Sequence, residues 1–146
     1  MPEFFITCRD FNDGEEIPKK FGYKHGNEEP VIRFNFIPDG TKSMAVIMDD
    51  PDAMAAVGKV WVHWLVWCFN NALSWETDVG LYGKNDFGEI GWGGPAPPDK
   101  RHTYVFKAYA LDIELGFDDG YSKQELEDAM EGHIIAEAKL TGTFAP

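Results

Sequence analysis

Long apolar runs, paired cysteines and positive charge are all scarce in this sequence, and each shortage argues against a class of protein. No segment reaches the roughly 18 consecutive apolar residues that a membrane-spanning helix needs. Cys8 and Cys68 are far apart and match no metal-binding or redox spacing, so we predict reduced thiols in the core. The 13 basic residues are outnumbered by 25 acidic ones, and the resulting net charge of −12 repels nucleic acid.

From its first residues, we expect no targeting signal in this chain. The residues M-P-E-F-F-I-T contain no basic region followed by a long apolar run. We therefore expect a cytoplasmic protein that forms a single domain over residues 1–146, a length that can bury a sizeable core without disulfides. The acidic surface fits either general solubility or a salty cytoplasm.

The densest apolar segment runs from Val60 to Trp67 and predicts a central strand. Its bulky residues occupy both faces, which is typical of a strand covered from two sides. His63 is the one ionisable residue in this segment. A buried imidazole needs hydrogen-bond partners, and we expect the carboxylates of Asp49, Asp50 and Asp52 at the end of the preceding strand to provide them.

The rest of the pattern predicts a mostly β protein. Further strands are predicted over Glu3–Arg9, Val31–Ile37, Lys42–Met48, His102–Leu111 and His133–Phe144. A turn at Pro38–Gly40 should join the second and third of these into a hairpin. One helix is predicted over Tyr121–Gly132, with Ser122 as its N-cap and Glu125 completing a capping box. Several strands and a single helix indicate an antiparallel β-sandwich or a related mostly-β architecture.

A loop rich in glycine and proline follows a long irregular segment, Phe69–Gly91, in which we predict a turn of helix near Ser74–Thr77. It begins G-W-G-G-P-A-P-P at Gly91 and leads through His102 to Tyr104. Its glycines allow close approach of the backbone and its prolines stiffen it, so it could present amides to a ligand at low ordering cost.

Each of these features also has a plain structural interpretation. His63 could be a hydrogen-bonded core residue, the D-D-P-D run an acidic turn, and the glycine-rich stretch an ordinary loop. The polar groups would form a site only if the strands that carry them are neighbours.

Taken together, three sequence blocks resemble the phosphatidylethanolamine-binding protein (PEBP) family, in particular its short bacterial and archaeal members. They are D-P-D-A at 50–53, W-V-H-W at 61–64, and G-W-G-G-P-A-P-P with H-T-Y between 91 and 104, in the order and spacing of the family. The resemblance implies a Greek-key β-sandwich of two antiparallel sheets. It also implies an anion-binding pocket formed by Asp50, Asp52, His63, Gly94, Pro95, His102 and Tyr104.

By resemblance, this pocket accepts phosphate-like groups, including the head group of phosphatidylethanolamine. Family members are described as lipid binders, protein-kinase regulators, protease inhibitors and signalling scaffolds, and small members often form dimers. We therefore expect a non-enzymatic protein that binds phosphate or phosphoethanolamine-like groups, with no cofactor and no metal. A kinase or a protease is the candidate protein partner, and a homodimer is the candidate assembly. Met54 and Trp92 replace residues usual in the family, which bears on ligand selectivity.

A charge argument accompanies this expectation. Two carboxylates repel a phosphate, so we expect protonated His63 and His102 to offset them, with backbone amides and the Tyr104 hydroxyl as neutral donors. Phosphate binding should then weaken as the pH rises.

Two other functions stay open. In a small hydrolase, Asp50 or Asp52 would be the general base, with His63 and His102 as acids or metal ligands. Against it, the sequence has no nucleophile in a recognisable setting and no close metal-ligand spacing. In a protein-interaction module, the pocket would be vestigial.

Overall fold

Two antiparallel β-sheets with few helices make up the computed structural model, which describes residues 3–69 and 76–146. The strands are β1 (Phe5–Cys8), β2 (Ile32–Asn35), β3 (Ser43–Asp50), β4 (Trp61–Phe69), β5 (Leu81–Tyr82), β6 (His102–Leu111) and β7 (Ile134–Phe144). The α-helices are α1 (Ala53–Val57) and α2 (Lys123–Met130), and short 3-10 helices span Lys19–Phe21 and Thr77–Val79. The turn of helix predicted near Ser74 falls mostly outside the described residues. None of the described helices has the length and apolarity to cross a membrane.

The strand order confirms the predicted Greek-key sandwich. β1 and β2 form the small sheet, and the large sheet has the order β5-β4-β3-β6-β7. Strands β3, β4 and β5 follow one another along the chain, and β6 then returns to pair with the other edge of β3. Three consecutive strands with the fourth beside the first define a Greek key. The return of β6 brings together segments about fifty residues apart.

The predicted hairpin across Pro38–Gly40 is wrong. β2 pairs with β1, with Ile32 opposite Cys8, whereas β3 pairs with β4 and β6. All eight residues of β3 are buried, and strands occupy both of its edges, so no edge is left for β2. The turn therefore carries the chain from one sheet to the other, and Gly40 provides the positive φ of 86° that this turn requires.

The large sheet separates two apolar cores, which is why β4 is apolar on both faces. Trp64 packs into the core between the sheets, and Leu65 packs into the core on the opposite face. Helix α2 covers this second core with Leu126. The predicted capping box of α2 is present, since Ser122 and the Glu125 side chain each accept the other's backbone N–H at 3.0 Å. Cys8 and Cys68 are buried and unpaired.

Candidate functional site

The predicted site residues meet at one end of the large sheet, where β3 ends and β6 begins. Asp49 lies opposite Val105 of β6, and Asp50 lies opposite Trp61 of β4. Because both neighbours are antiparallel to β3, the last residue of β3 lies beside the first residues of β4 and of β6. Asp50 is thereby placed beside His102.

A cavity of about 180 Å³ opens at this end of the sheet. Four of the predicted residues line it: Asp50, His63, His102 and Tyr104. The remaining lining residues are apolar: Ala53, Ala56, Val57, Trp61, Phe87, Ala96, Pro97 and Pro98. This volume is below the range of roughly 300–1,000 Å³ typical of pockets for drug-sized ligands, so the cavity suits a small group with one polar end.

His102 lies between two carboxylates. Its Nδ1 is 2.6 Å from Oδ2 of Asp50, and its Nε2 is 2.6 Å from Oδ1 of Asp99. Burial acts to lower the pKa of His102, but the hydrogen bonds to Asp50 and Asp99 outweigh it, so the pKa is raised. Two ionised carboxylates can both accept from one imidazole only when both ring nitrogens carry hydrogens. The geometry therefore favours a positively charged His102.

Asp50 and Asp52 have different roles at the end of β3. Asp50 is buried, and its Oδ1 accepts the Asp52 N–H at 3.0 Å. Burial raises the pKa of Asp50, and the hydrogen bond from His102 offsets part of that effect. Asp52 is exposed and does not line the cavity; its Oδ2 accepts the Thr103 N–H at 2.8 Å. Asp52 therefore connects the end of β3 to the beginning of β6.

His63 has a different partner from the one expected. Its Nδ1 donates to the carbonyl oxygen of Gly93 at 2.6 Å, and no carboxylate accepts from it within the described part of the chain. Burial lowers the pKa of His63 to about 4, although the hydrogen bond to Gly93 acts in the opposite direction. The expected aspartate partner of His63 is therefore wrong, and burial acts against the positive charge that we expected on its ring. At neutral pH its Nε2 is an acceptor on the cavity wall.

The Tyr104 side chain packs near both imidazoles. Its ring centroid is 5.2 Å from that of His63 and 6.3 Å from that of His102. Its hydroxyl is buried, and no described residue lies in hydrogen-bonding geometry with it. The backbone donor that lies near it is the Ala96 amide. Burial raises the pKa of Tyr104, so the phenol keeps its proton. The site thus contains a buried donor without a partner, beside one neutral and one charged imidazole.

Gly94 and Pro95 support the site from outside the cavity. The Gly94 amide donates to Oδ1 of Asn27 at 2.7 Å, and the Pro95 carbonyl accepts the Tyr23 N–H at 3.0 Å. The Gly93 amide donates to the His63 carbonyl at 3.0 Å. We expected this loop to present backbone amides to a ligand, but its Gly93 and Gly94 amides are both used within the protein.

Several residues of the site were not predicted. Asp99 lies three positions before His102, a spacing that allows contact across a turn but does not require it. Phe87 comes from the irregular segment before Gly91, where no periodicity points to a site. Helix α1 forms one wall of the cavity, and its only signal in the sequence is the alanine-rich stretch between Pro51 and Gly58. Gly58 ends the helix with a positive φ of 81°.

Comparison with known proteins identifies the family. The model of the phosphatidylethanolamine-binding protein family matches residues 7–145. The chain belongs to the PEBP family. It is 40% identical over 145 residues to a UPF0098 protein of Chlamydia muridarum, covering 95% of this chain and 97% of that one. It is 38% identical over 146 residues to a UPF0098 protein of Methanothermobacter thermautotrophicus, covering 92% of this chain and 93% of that one.

Solved structures agree with this assignment. A PEBP homologue from Chlamydia trachomatis has a TM-score of 0.86 at 36% identity, covering 97% of this chain and 96% of that one. YBCL of E. coli, described as a new member of the mammalian PEBP family, has a TM-score of 0.85 at 29% identity and 98% coverage of both chains. The relatives confirm the predicted resemblance to short bacterial and archaeal PEBP-family proteins.

Proposed function

We propose that this PEBP-family protein is a non-enzymatic binding protein that takes a small phosphate-bearing molecule, such as a phosphoethanolamine-like group, into the cavity between His63 and His102. The observation that supports this most is the grouping of a charged imidazole, a neutral imidazole and the unpartnered Tyr104 hydroxyl in one cavity. A phosphate oxygen can accept a hydrogen bond from the phenol, and the positive charge of His102 reduces the repulsion that Asp50 and Asp99 exert on a phosphate.

The neutral state of His63 makes binding depend on a proton. A dianionic phosphate ester would place an oxygen against the acceptor Nε2 of His63, which repels it. Binding therefore requires that the phosphate keep one proton and donate it to Nε2, or that His63 take up a proton. A phosphate monoester loses its second proton at about pH 6. Affinity should then fall as the pH rises above that value.

The apolar wall indicates what the rest of the ligand is like. Val57, Trp61 and Phe87 line the cavity, and Phe87 packs edge-on against both Trp61 and His63. Such a wall favours the carbon portion of a phosphate ester over free phosphate. A ligand with an alkyl or ethanolamine group attached to its phosphate therefore fits better than the inorganic ion.

Binding accounts for the cavity better than hydrolysis does. Among the described residues that line it, none is Ser, Thr, Cys or Lys, and the Asp50 carboxylate, which could act as a nucleophile, is held by His102 and the Asp52 amide. His102 is held as a cation by Asp50 and Asp99, so it is not available as a general base. Among residues 3–69 and 76–146, no group of three or more His, Cys, Asp or Glu side chains is arranged to hold a metal ion. Regulation of a kinase or a protease, the homodimer and the cytoplasmic location stay predictions.

Calorimetry with phosphoethanolamine tests the proposal. Affinity should fall about tenfold per pH unit above about pH 6, because the protonated fraction of the ligand falls at that rate. His63→Gln should weaken binding at low pH by about tenfold or more, because a fixed partner of the phosphate is lost. His133→Gln is the matched control, since His133 lies outside the cavity and pairs with Asp112. An affinity that is unchanged or tighter from about pH 5.5 to about pH 8.5 contradicts the proposal. Release of inorganic phosphate from phosphoethanolamine by the wild type, but not by His63→Gln, would favour the hydrolase.

A further inference from the structure

Only one of the two carboxylates that hold His102 is able to leave it. Asp50 is buried and is fixed by the Asp52 amide as well as by His102. The side chain of Asp99 is 40% exposed, whereas that of His102 is completely buried. Asp99 belongs to the exposed bend formed by residues 98–100. Its carboxylate also interacts with the backbone amides of Lys100 and of Asp99 itself, but these amides lie at the surface, where water can replace the carboxylate. The contact between Asp99 and Nε2 of His102 is therefore the replaceable one.

We infer that Asp99 is a built-in competitor of the anionic ligand, whose carboxylate occupies the donor on His102 that a phosphate oxygen would otherwise use. This inference rests on the proposed function and adds to it a residue that sets how tightly the site binds. His102, Pro97 and Pro98 all line the cavity, whereas Asp99 does not. Because buried Asp50 holds Nδ1, Nε2 is the ring donor that a phosphate in the cavity can reach once Asp99 moves away. Binding then exchanges one anion for another at Nε2, and no covalent bond changes.

The exchange divides ligands into two classes. An anion that reaches Nε2 must first displace the carboxylate, so its affinity is reduced by the strength of the contact between Asp99 and His102. A ligand that contacts only His63, Tyr104 and the apolar wall displaces nothing. Removing the Asp99 carboxylate therefore strengthens the binding of the first class and leaves the second class nearly unaffected.

His102 keeps a positive charge when Asp99 is replaced, because another carboxylate faces it. The groups around its ring are Asp50, Asp99 and Tyr104, and Asp50 stays bonded to Nδ1 at 2.6 Å. The calorimetric titrations are run at about pH 5, where an unperturbed imidazole with a pKa of about 6.5 is almost completely protonated, and the nitrogen chemical shifts of the ring check the protonation of His102 in each variant. A change in phosphate affinity at that pH then reports access to Nε2.

The experiment measures binding of inorganic phosphate and of phosphoethanolamine to Asp99→Asn by calorimetry. Asp99→Asn should bind both about tenfold more tightly than the wild type, because the amide oxygen that remains competes for Nε2 without a negative charge. Asp99→Ala, which removes the acceptor completely, should show at least the same gain. Asp52→Asn is the matched control. It removes one negative charge near the site but leaves Nε2 covered, so its gain should stay within about threefold.

A second readout follows the ring itself. In the wild type, adding phosphate should shift the His102 Nε2 resonance in proton–nitrogen correlation spectra, together with the carboxyl carbon of Asp99. Tighter binding by both Asp99 variants than by Asp52→Asn supports the inference. Equal or weaker binding by Asp99→Asn overturns it while the proposed function stands, and shows that Asp99 positions His102. If no variant binds phosphate or phosphoethanolamine and neither histidine resonance moves, the proposed function fails and the inference fails with it.

Discussion

His63 and His102 line one cavity and both lie near the Tyr104 ring, yet their surroundings favour opposite charge states. The main partner of His63 is a backbone carbonyl, and burial lowers its pKa to about 4. The partners of His102 are two carboxylates, which raise its pKa despite burial. The surroundings therefore make His63 a hydrogen-bond acceptor and His102 a charged donor. This arrangement fits the partly protonated anion that we propose as the ligand.

The low pKa of His63 should appear in the pH dependence of stability. Between about pH 6.5 and pH 4, the unfolded chain binds a proton at this residue and the native chain does not. The free energy of unfolding should therefore fall as the pH is lowered through this window, by up to about 3 kcal/mol in total. Urea unfolding at a series of pH values measures it.

The comparison with His63→Gln isolates this contribution, because the carboxylates titrate alike in both proteins. The stability difference between wild type and variant should shrink as the pH falls from about 6.5 to about 4. A difference that stays constant across the window would show that His63 titrates normally in the native state.

The carboxylate of Asp50 should maintain the charge of His102. Asp50→Asn keeps the shape of the side chain and an oxygen for Nδ1, but removes the negative charge 2.6 Å away. We expect the pKa of His102 to fall in this variant, because burial then acts against the charged form with only Asp99 opposing it. Nitrogen chemical shifts of the ring, followed through a pH titration, measure the change. An unchanged titration would assign the charge of His102 to Asp99 alone.

Gly94 should not tolerate a side chain. A Cβ at this position would lie 1.9 Å from the carbonyl oxygen of Phe21 and 2.8 Å from the amide of Tyr23, both of them backbone atoms. We expect Gly94→Ala to lower the free energy of unfolding by about 3 kcal/mol, because the loop must move away from the segment that contains Phe21. Gly40→Ala is the control. Gly40 has open space around it and only a positive φ, so its loss should be about 1–2 kcal/mol.

The elements that the sequence predicts well are those determined by local patterns. The predicted strand His102–Leu111 has the observed bounds of β6, and the cap at Ser122 is present because it needs only residues three apart. The central strand was recognisable because two cores demand apolar residues on both faces of β4. In each case the physical requirement acts within about ten residues of chain.

What the sequence could not provide is the choice of partner between distant segments. Alternation along β3 implies that Asp49 and Asp50 point to opposite faces. It does not imply that Asp49 contacts Lys107 and Asp50 contacts His102. The imidazole of His63 could have met a carboxylate or a carbonyl, and only the packing of the glycine loop decides for Gly93. The prediction that His63 and His102 share one site came from the family resemblance, because sequence spacing alone does not imply it.

The opposite face of β3 provides a last prediction. Asp49 is almost completely buried, and its Oδ2 is 2.8 Å from Nζ of Lys107 and 3.5 Å from Nζ of Lys123. Asp49→Asn should lower the free energy of unfolding by about 2 kcal/mol, because Lys107 keeps its charge in a half-buried place without its counterion. Phosphate binding should change little, since Asp49 does not line the cavity. Chemical denaturation measures the first effect and calorimetry the second.

Lys107→Met provides the double-mutant test of this ion pair. If the charge pair is the cause, Asp49→Asn combined with Lys107→Met should be more stable than the sum of the two separate losses predicts. Asp112→Asn is the surface control, because Asp112 and its partner His133 are both well exposed and should contribute less than about 1 kcal/mol. If the losses in the free energy of unfolding are additive in the double variant, Asp49 stabilises the protein through the backbone conformation at the end of β3 and not through the ion pair. In that case Asp49→Asn should also disturb His102, because Asp50 is the next residue.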